Sequence, residues 1–401
     1  MMTAVQPLSR RVLAMEESAT LKMSAMARAL AAEGHDVISL SLGEPDFDTP
    51  EHIKAAAKQA LDEGYTKYTP VPGLLELRQA ITTKFKRDND LDYSPDQIVV
   101  SNGAKQSIAN LALALLDEGD EVIILAPYWV SYDAIVKVAG GKSVIVGAGI
   151  EQDYKVSAEQ VAAAITPRTK AVLFSSPCNP TGSVYSRAEL SAIADVVAPH
   201  EQITIISDEI YEYINFGEAH TSIGTIPAVK ERTVTVNGFS KGFAMTGWRL
   251  GYIGAPQWLA KACAKIQGQF TSGATAFGQK AAVTALLGDM QATHDMRAAY
   301  AERRRLFTEL LSVNKGMRIN QPGGAFYIFP NIEAYLGRKA GDKVLENDVD
   351  FCEYILHEAH VAIVPGSAFG APGCIRLSYA ASEAQLREAA ARMQRALAKL
   401  D

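Results

Sequence analysis

Between about Asp96 and Ile253, short apolar runs rich in β-branched residues alternate with stretches of helical period. Six runs stand out: Gln97–Val100, Glu121–Leu125, Lys170–Phe174, Ile203–Ile206, Thr233–Val236 and Leu250–Ile253. Continuous apolar strands separated by helices predict a largely parallel sheet with helices covering its faces. After Tyr300 the pattern changes. A charged helix is expected over Ala301–Leu311, short strands over Ala325–Phe329 and Cys374–Ser378, and an amphipathic helix from Glu383, which together read as α+β.

A chain of 401 residues exceeds what one hydrophobic core usually holds. With no repeat or Pro/Gly/Ser linker, a second unit would be built from both chain ends packing together. The net charge of -6 argues against a nucleic-acid surface, and the longest basic run, Arg303-Arg304-Arg305, reads as a solvated helix face. Cys178, Cys263, Cys352 and Cys374 form no paired spacing, so neither disulfides nor a structural zinc site is expected, and a reducing cytoplasm fits. Near the start, Glu16 and Glu17 interrupt Arg10, Arg11 and Lys22, unlike a secretory leader, and no apolar run approaches the roughly 20 residues that span a bilayer. His357-Glu358-Ala359-His360 lacks the i,i+4 histidine spacing of a helical zinc motif and reads as a helix face, with no metal.

In an open α/β sheet, ligands bind beyond the carboxyl ends of the strands. Three such ends carry distinctive residues. The first run leads through Ser101-Asn102-Gly103-Ala104-Lys105-Gln106 into a helical pattern, offering free N–H groups to a phosphate, although the same turn also serves structure alone. The run at Ile203–Ile206 ends in Ser207-Asp208-Glu209-Ile210-Tyr211, where Asp208 reads either as a buried carboxylate needing a cation or as a helix N-cap. The Thr233–Val236 run leads into Asn237–Arg249, in which Lys241 stands among small and apolar residues. Desolvation there would lower its pKa and make it a Schiff-base nucleophile; a surface lysine is the alternative. Taken together, a phosphate cradle, a carboxylate for a pyridinium proton and an imine-forming amine are the parts a pyridoxal-phosphate site requires.

Ordered motifs over nearly the whole chain resemble the fold type I aminotransferases, in particular the class Ib bacterial aspartate aminotransferases. They are Leu42–Pro50, Tyr68–Gly73, Pro127–Tyr132, Asn179–Gly182, Ser207–Tyr211, Ser240-Lys241 with Thr246–Arg249, and Arg376–Ser378. The resemblance implies an α/β large domain, residues 46–299, with a mostly parallel seven-stranded sheet. Residues 1–45 would form an N-terminal arm and part of a smaller α+β domain, completed by residues 300–401. It implies a homodimer with shared active sites, acting on amino acids and 2-oxo acids; charge and hydropathy lead to no nucleic-acid or membrane partner being expected.

By the same resemblance Lys241 would carry pyridoxal 5'-phosphate and, once freed, shuttle the substrate proton. Asp208 would keep the pyridine nitrogen protonated, Asn179 and Tyr211 would bond the phenolic oxygen, and Trp129 would stack on the ring. Gly103, Ala104, Lys105, Ser240 and Arg249 would bind phosphate, with Tyr68 reaching in from the other subunit. Arg376 would clamp the substrate α-carboxylate beside the Gly43 backbone, with Trp129 and Asn179 also lining the substrate. Lys105 would meet the distal carboxylate, which favours aspartate and glutamate. Relatives that use prephenate have a basic residue where Glu16 stands, so prephenate is not expected. The phosphate-site serine of the animal-type branch is Gly238 here.

The expected activity is therefore ping-pong transamination from L-aspartate to 2-oxoglutarate. An aromatic or broad-specificity aminotransferase, a β-lyase and a pyridoxal-binding regulator without turnover are the rivals.

Overall fold

The computed structural model describes residues 8–13, 15 and 19–401. Glu16 and Glu17, which bear on the prephenate expectation, lie outside them.

Seven strands form the central sheet: β1 (Ile98–Ser101), β2 (Glu121–Ala126), β3 (Lys142–Gly147), β4 (Thr169–Ser175), β5 (Thr204–Asp208), β6 (Thr233–Gly238) and β7 (Gly251–Gly254). Their spatial order is β1-β7-β6-β5-β4-β2-β3; β7 runs antiparallel to both neighbours and every other pairing is parallel. All residues of β1, β2, β5, β6 and β7 are buried, which is why they read as short runs rich in apolar and β-branched residues. β3 was not among the six runs. It is an edge strand whose residues are partly buried or exposed, and its three apolar residues make too short a run to stand out. Helices α1 (Leu75–Asn89) and α2 (Ala104–Leu115) pack against the sheet.

The two ends of the chain meet in one hydrophobic cluster. Met23, Ala27, Ile38 and Leu40 pack with residues of α3 (Gln291–Ser312), α4 (Asp348–Ala359) and α5 (Glu383–Leu397). Ile38–Ser39 also pairs in parallel with Val361–Ala362. Beside them lies an antiparallel sheet of β8 (Tyr327–Ile328), β9 (Val364–Pro365) and β10 (Ile375–Ser378), in the order β9-β10-β8. The α5 start coincides with its expected position because Ser382 and Gln385 form a capping box. By contrast, α3 begins ten residues before Ala301, since its first turns bury Thr293 and Met296 in a mixed polar pattern.

Two readings of surface groups need correction. Only Arg305 of the basic run faces solvent. Arg303 pairs with Asp46 at 2.7 Å and lies over Phe47, while Arg304 donates to the Pro322 carbonyl and covers Phe216. Their long apolar stems suit such half-buried positions. His360 is not on a helix face: it leaves α4 in the left-handed conformation, φ 52°, and its ring lies 4.6 Å from that of His35. The four cysteines are free and buried. Among the described residues, no helix is long and apolar enough to cross a membrane.

Candidate active site

The carboxyl ends of β1, β5 and β6 converge. After β1 the chain turns through Gly103, the residue before α2, at φ +83°. A Cβ there would stand 2.4 Å from Nη2 of Arg249, so a glycine allows the guanidinium to lie against the helix start. Arg249 is fixed by donation to the Thr246 carbonyl at 2.8 Å. The first N–H groups of α2 have no partner within the helix, and with Arg249 they form a corner that attracts an anion.

Asp208 is the last residue of β5. No helix follows it, so the N-cap alternative does not hold; instead one carboxylate oxygen accepts from the Ile210 N–H at 3.2 Å in a tight turn. The other accepts from the Tyr132 hydroxyl at 2.7 Å. Burial raises the Asp208 pKa to about 6 against the opposing pull of these two donors.

β6 ends on Gly238, where a Cβ would lie 2.9 Å from the Gly251 Cα and 3.0 Å from the Leu250 carbonyl. The neighbouring backbone fills the space that a serine would need, so the phosphate contact of the animal-type branch has no counterpart. Lys241 then reaches across, and its Nζ donates to the Gly43 carbonyl at 2.6 Å. Desolvation lowers its pKa to about 8; Glu44 opposes this, and the charges of Arg376 and Arg249 add to it.

Arg376, on β10, is fully enclosed. Nη1 donates to Asn179 Oδ1 at 3.0 Å and Nη2 to the Ser41 carbonyl at 2.5 Å. Nε has no hydrogen-bond partner among the described residues. A buried cation with an unspent donor is suited to an incoming carboxylate. A cavity of about 410 Å³ joins Gly43, Trp129, Asn179, Asp208, Lys241 and Arg376, and Ala104, Lys105, Tyr211, Ser240 and Arg249 also line it. Lys105 Nζ stands 5.0 Å from the Trp129 ring, its pKa lowered by desolvation and then by Arg249.

The geometry thus gathers twelve of the thirteen residues singled out from sequence. Tyr68 is apart: its side chain is turned outward, with 98% of the residue exposed. The donor set fits a phosphorylated pyridine aldehyde, with an anion corner at one end, a carboxylate at the other and, between them, an amine whose pKa burial lowers to about 8.

Several polar partners escaped the sequence reading. Tyr132 stood within a noted motif but carried no role. Tyr327, whose hydroxyl lies 2.7 Å from that of Tyr211, had no signal beyond its place in an apolar run. Behind Asp208, Glu209, Glu212 and His220 bring three metal-ligand atoms within 4.8 Å of one another. The Lys84 ammonium, itself fully buried, already pairs with Glu212 there and supplies the positive charge.

The family model for aminotransferase class I and II matches residues 35–393. An aspartate/prephenate aminotransferase of Nitrosomonas europaea is 47% identical over 96% of this chain and 98% of its own length. The crystal structure of the aspartate aminotransferase from Rhizobium meliloti superimposes with a TM-score of 0.96 at 44% identity, covering 99% of this chain and all of the other. An aspartate aminotransferase of Thermus thermophilus with maleate gives 0.92 at 43% identity, covering 98% of this chain and 100% of that one.

Proposed function

Because the chain belongs to the aminotransferase class I and II family, whose cofactor is pyridoxal phosphate, we propose that it moves the amino group of L-aspartate to 2-oxoglutarate by ping-pong chemistry. The observation that carries this reading is the enclosed Arg376, whose Nε has no hydrogen-bond partner among the described residues, in the same cavity as the depressed-pKa amine of Lys241.

Lys241 would hold the cofactor, Asp208 its pyridine nitrogen, and Asn179 and Tyr211 its phenolic oxygen, with Trp129 against the ring. The α2 start at Gly103–Lys105, Ser240 and Arg249 would hold the phosphate. When bound, the cofactor withdraws electrons from the substrate α-carbon, which loosens its proton. Arg376 orients the α-carboxylate beside Gly43, and the Lys241 amine takes up that proton and returns it. Lys105 would meet a distal carboxylate. The maleate carried by the Thermus thermophilus relative, a dicarboxylate, supports that choice of substrate.

We further propose a cytoplasmic homodimer, in which Tyr68 completes the partner's phosphate site. The outward Tyr68 supports the dimer, as do the exposed Phe270 and Trp258; the four reduced, buried cysteines support the compartment. Our division is an arm and partial small domain over 1–45, a large domain over 46–299 and a small domain over 300–401.

Oxaloacetate release from aspartate, dependent on 2-oxoglutarate and abolished by Lys241→Ala, tests the reading. Lys105→Met should raise KM for aspartate while sparing aromatic donors. Preferred turnover of aromatic donors by the unaltered protein would refute the substrate, pyruvate and ammonia release without an oxo acid would indicate a β-lyase, and cofactor binding without turnover a regulator.

A further inference from the structure

Tyr327 touches three parts of the site at once. It lies on β8 opposite Ser378 of β10, and Arg376, two residues earlier on β10, projects from the same face. The Arg376 guanidinium carbon stands 4.6 Å from the Tyr327 ring centroid. The Tyr327 hydroxyl is 2.7 Å from that of Tyr211, in the turn after β5. It also fills the space beside Gly43, where a Cβ would come within 2.5 Å of it.

A phenol has one proton to donate. If Tyr211 turned its proton toward Tyr327, it would have none for a phenolic oxygen of the cofactor. If Tyr327 donates instead, the Tyr211 proton is free. Tyr211 is the one hydrogen-bond partner of the Tyr327 hydroxyl among the described residues, so nothing else there competes for the Tyr327 proton. The adjacent Arg376 charge makes Tyr327 the stronger donor, and a carboxylate bound to Arg376 would offset that charge.

We propose that Tyr327 is a positioning residue that donates to Tyr211, orients the Tyr211 proton toward the cofactor, and relays carboxylate capture at Arg376 to the cofactor end of the site. This rests on the aminotransferase reading above. Donation from Tyr327 strengthens Tyr211 as a donor, because linked hydrogen bonds polarise one another. That stabilises the deprotonated phenolic oxygen of the cofactor.

The test is a pH titration of the visible absorption of the bound cofactor in the unaltered protein and in Tyr327→Phe, which removes only the hydroxyl. The midpoint should rise by about half a unit to one unit in the variant. The shift that maleate causes in the unaltered protein should shrink. In a Tyr211→Phe background, Tyr327→Phe should add no further shift, since its effect passes through Tyr211. An unchanged midpoint in Tyr327→Phe, or the same shift with and without Tyr211, would overturn the proposal. If the unaltered protein took up no cofactor, the aminotransferase reading itself would fail, and the relay with it.

Discussion

The Tyr132 hydroxyl donates to Oδ2 of Asp208 at 2.7 Å, and both groups are shut away from solvent. A buried carboxylate that loses such a donor keeps the cost of its burial and has one fewer hydrogen bond to offset it. Tyr132→Phe should therefore raise the Asp208 pKa beyond about 6 in the cofactor-free protein, which carbon NMR of the carboxyl group would register. A protonated Asp208 cannot pair with a pyridinium, so cofactor should bind about tenfold more weakly, judging from charged hydrogen bonds generally. An unchanged titration and unchanged affinity would show the contact to be incidental.

Burial lowers the pKa of the Lys241 amine to about 8, so it sheds its proton well below an ordinary lysine. Its neutral, nucleophilic fraction should grow as pH rises through about 8 and fall away below that. Reductive trapping of pyridoxal 5'-phosphate on the cofactor-free chain should follow that curve, and peptide mapping should find the label on Lys241. Lys241→Ala should abolish it. Label on Lys105 instead would contradict the assignment, since Lys105 is the other cavity lysine with a lowered pKa.

How far these features were legible in the sequence depends on where each interaction originates. Strands β1, β2 and β4 to β7 announced themselves because they are buried almost throughout, β1 included although it lies at one edge of the sheet, whereas β3 at the other edge was hidden by its half-exposed residues. The ends of β1, β5 and β6 were found because chemistry in a parallel sheet collects there, and the spacing of Ser101–Lys105, Asp208 and Lys241 from apolar runs is local. Pairings such as Tyr132 with Asp208 and Tyr327 with Tyr211 join residues 76 and 116 positions apart and leave no periodic trace. The arginine run misled for a related reason: its stems cover Phe47 and Phe216, which come from distant segments.

Gly43 is held between the Lys241 ammonium on its carbonyl and the Tyr327 hydroxyl beside its Cα. Gly43→Ala would place a methyl 2.5 Å from that hydroxyl, well inside the usual contact distance between nonbonded atoms. Something must move, and Arg376 shares the Tyr327 ring. We expect kcat/KM for aspartate to fall by about a hundredfold, in line with misplacement by about 1 Å. With Tyr327→Phe added, the nearest ring atom would be 3.5 Å away, an ordinary contact, so the double variant should regain part of the loss. A double variant worse than Gly43→Ala alone would place the clash elsewhere.

Beneath β5, Glu209 accepts from the hydroxyls of Ser207 and Ser222, and Asn89 donates to Glu212 at 2.7 Å. Lys84 pairs with Glu212, while His220 Nε2 lies 2.9 Å from Glu209. Removing one member of a buried pair strands the other charge, so Lys84→Met should cost about 3–5 kcal/mol in urea unfolding, and Lys84→Met with Glu212→Gln much less. Burial alone would lower the His220 pKa, but Glu209 outweighs it, with Glu212 adding and Lys84 opposing, and holds it above the ordinary value. A histidine raised in the folded state contributes stability that is fully present below its unfolded pKa, about 6.5, and is lost as pH rises through the folded value. The stability difference between the unaltered protein and His220→Gln should therefore be largest below pH of about 6.5 and narrow above it. A difference that stayed flat across that range would mean that His220 is neutral and that Lys84 alone balances the two glutamates.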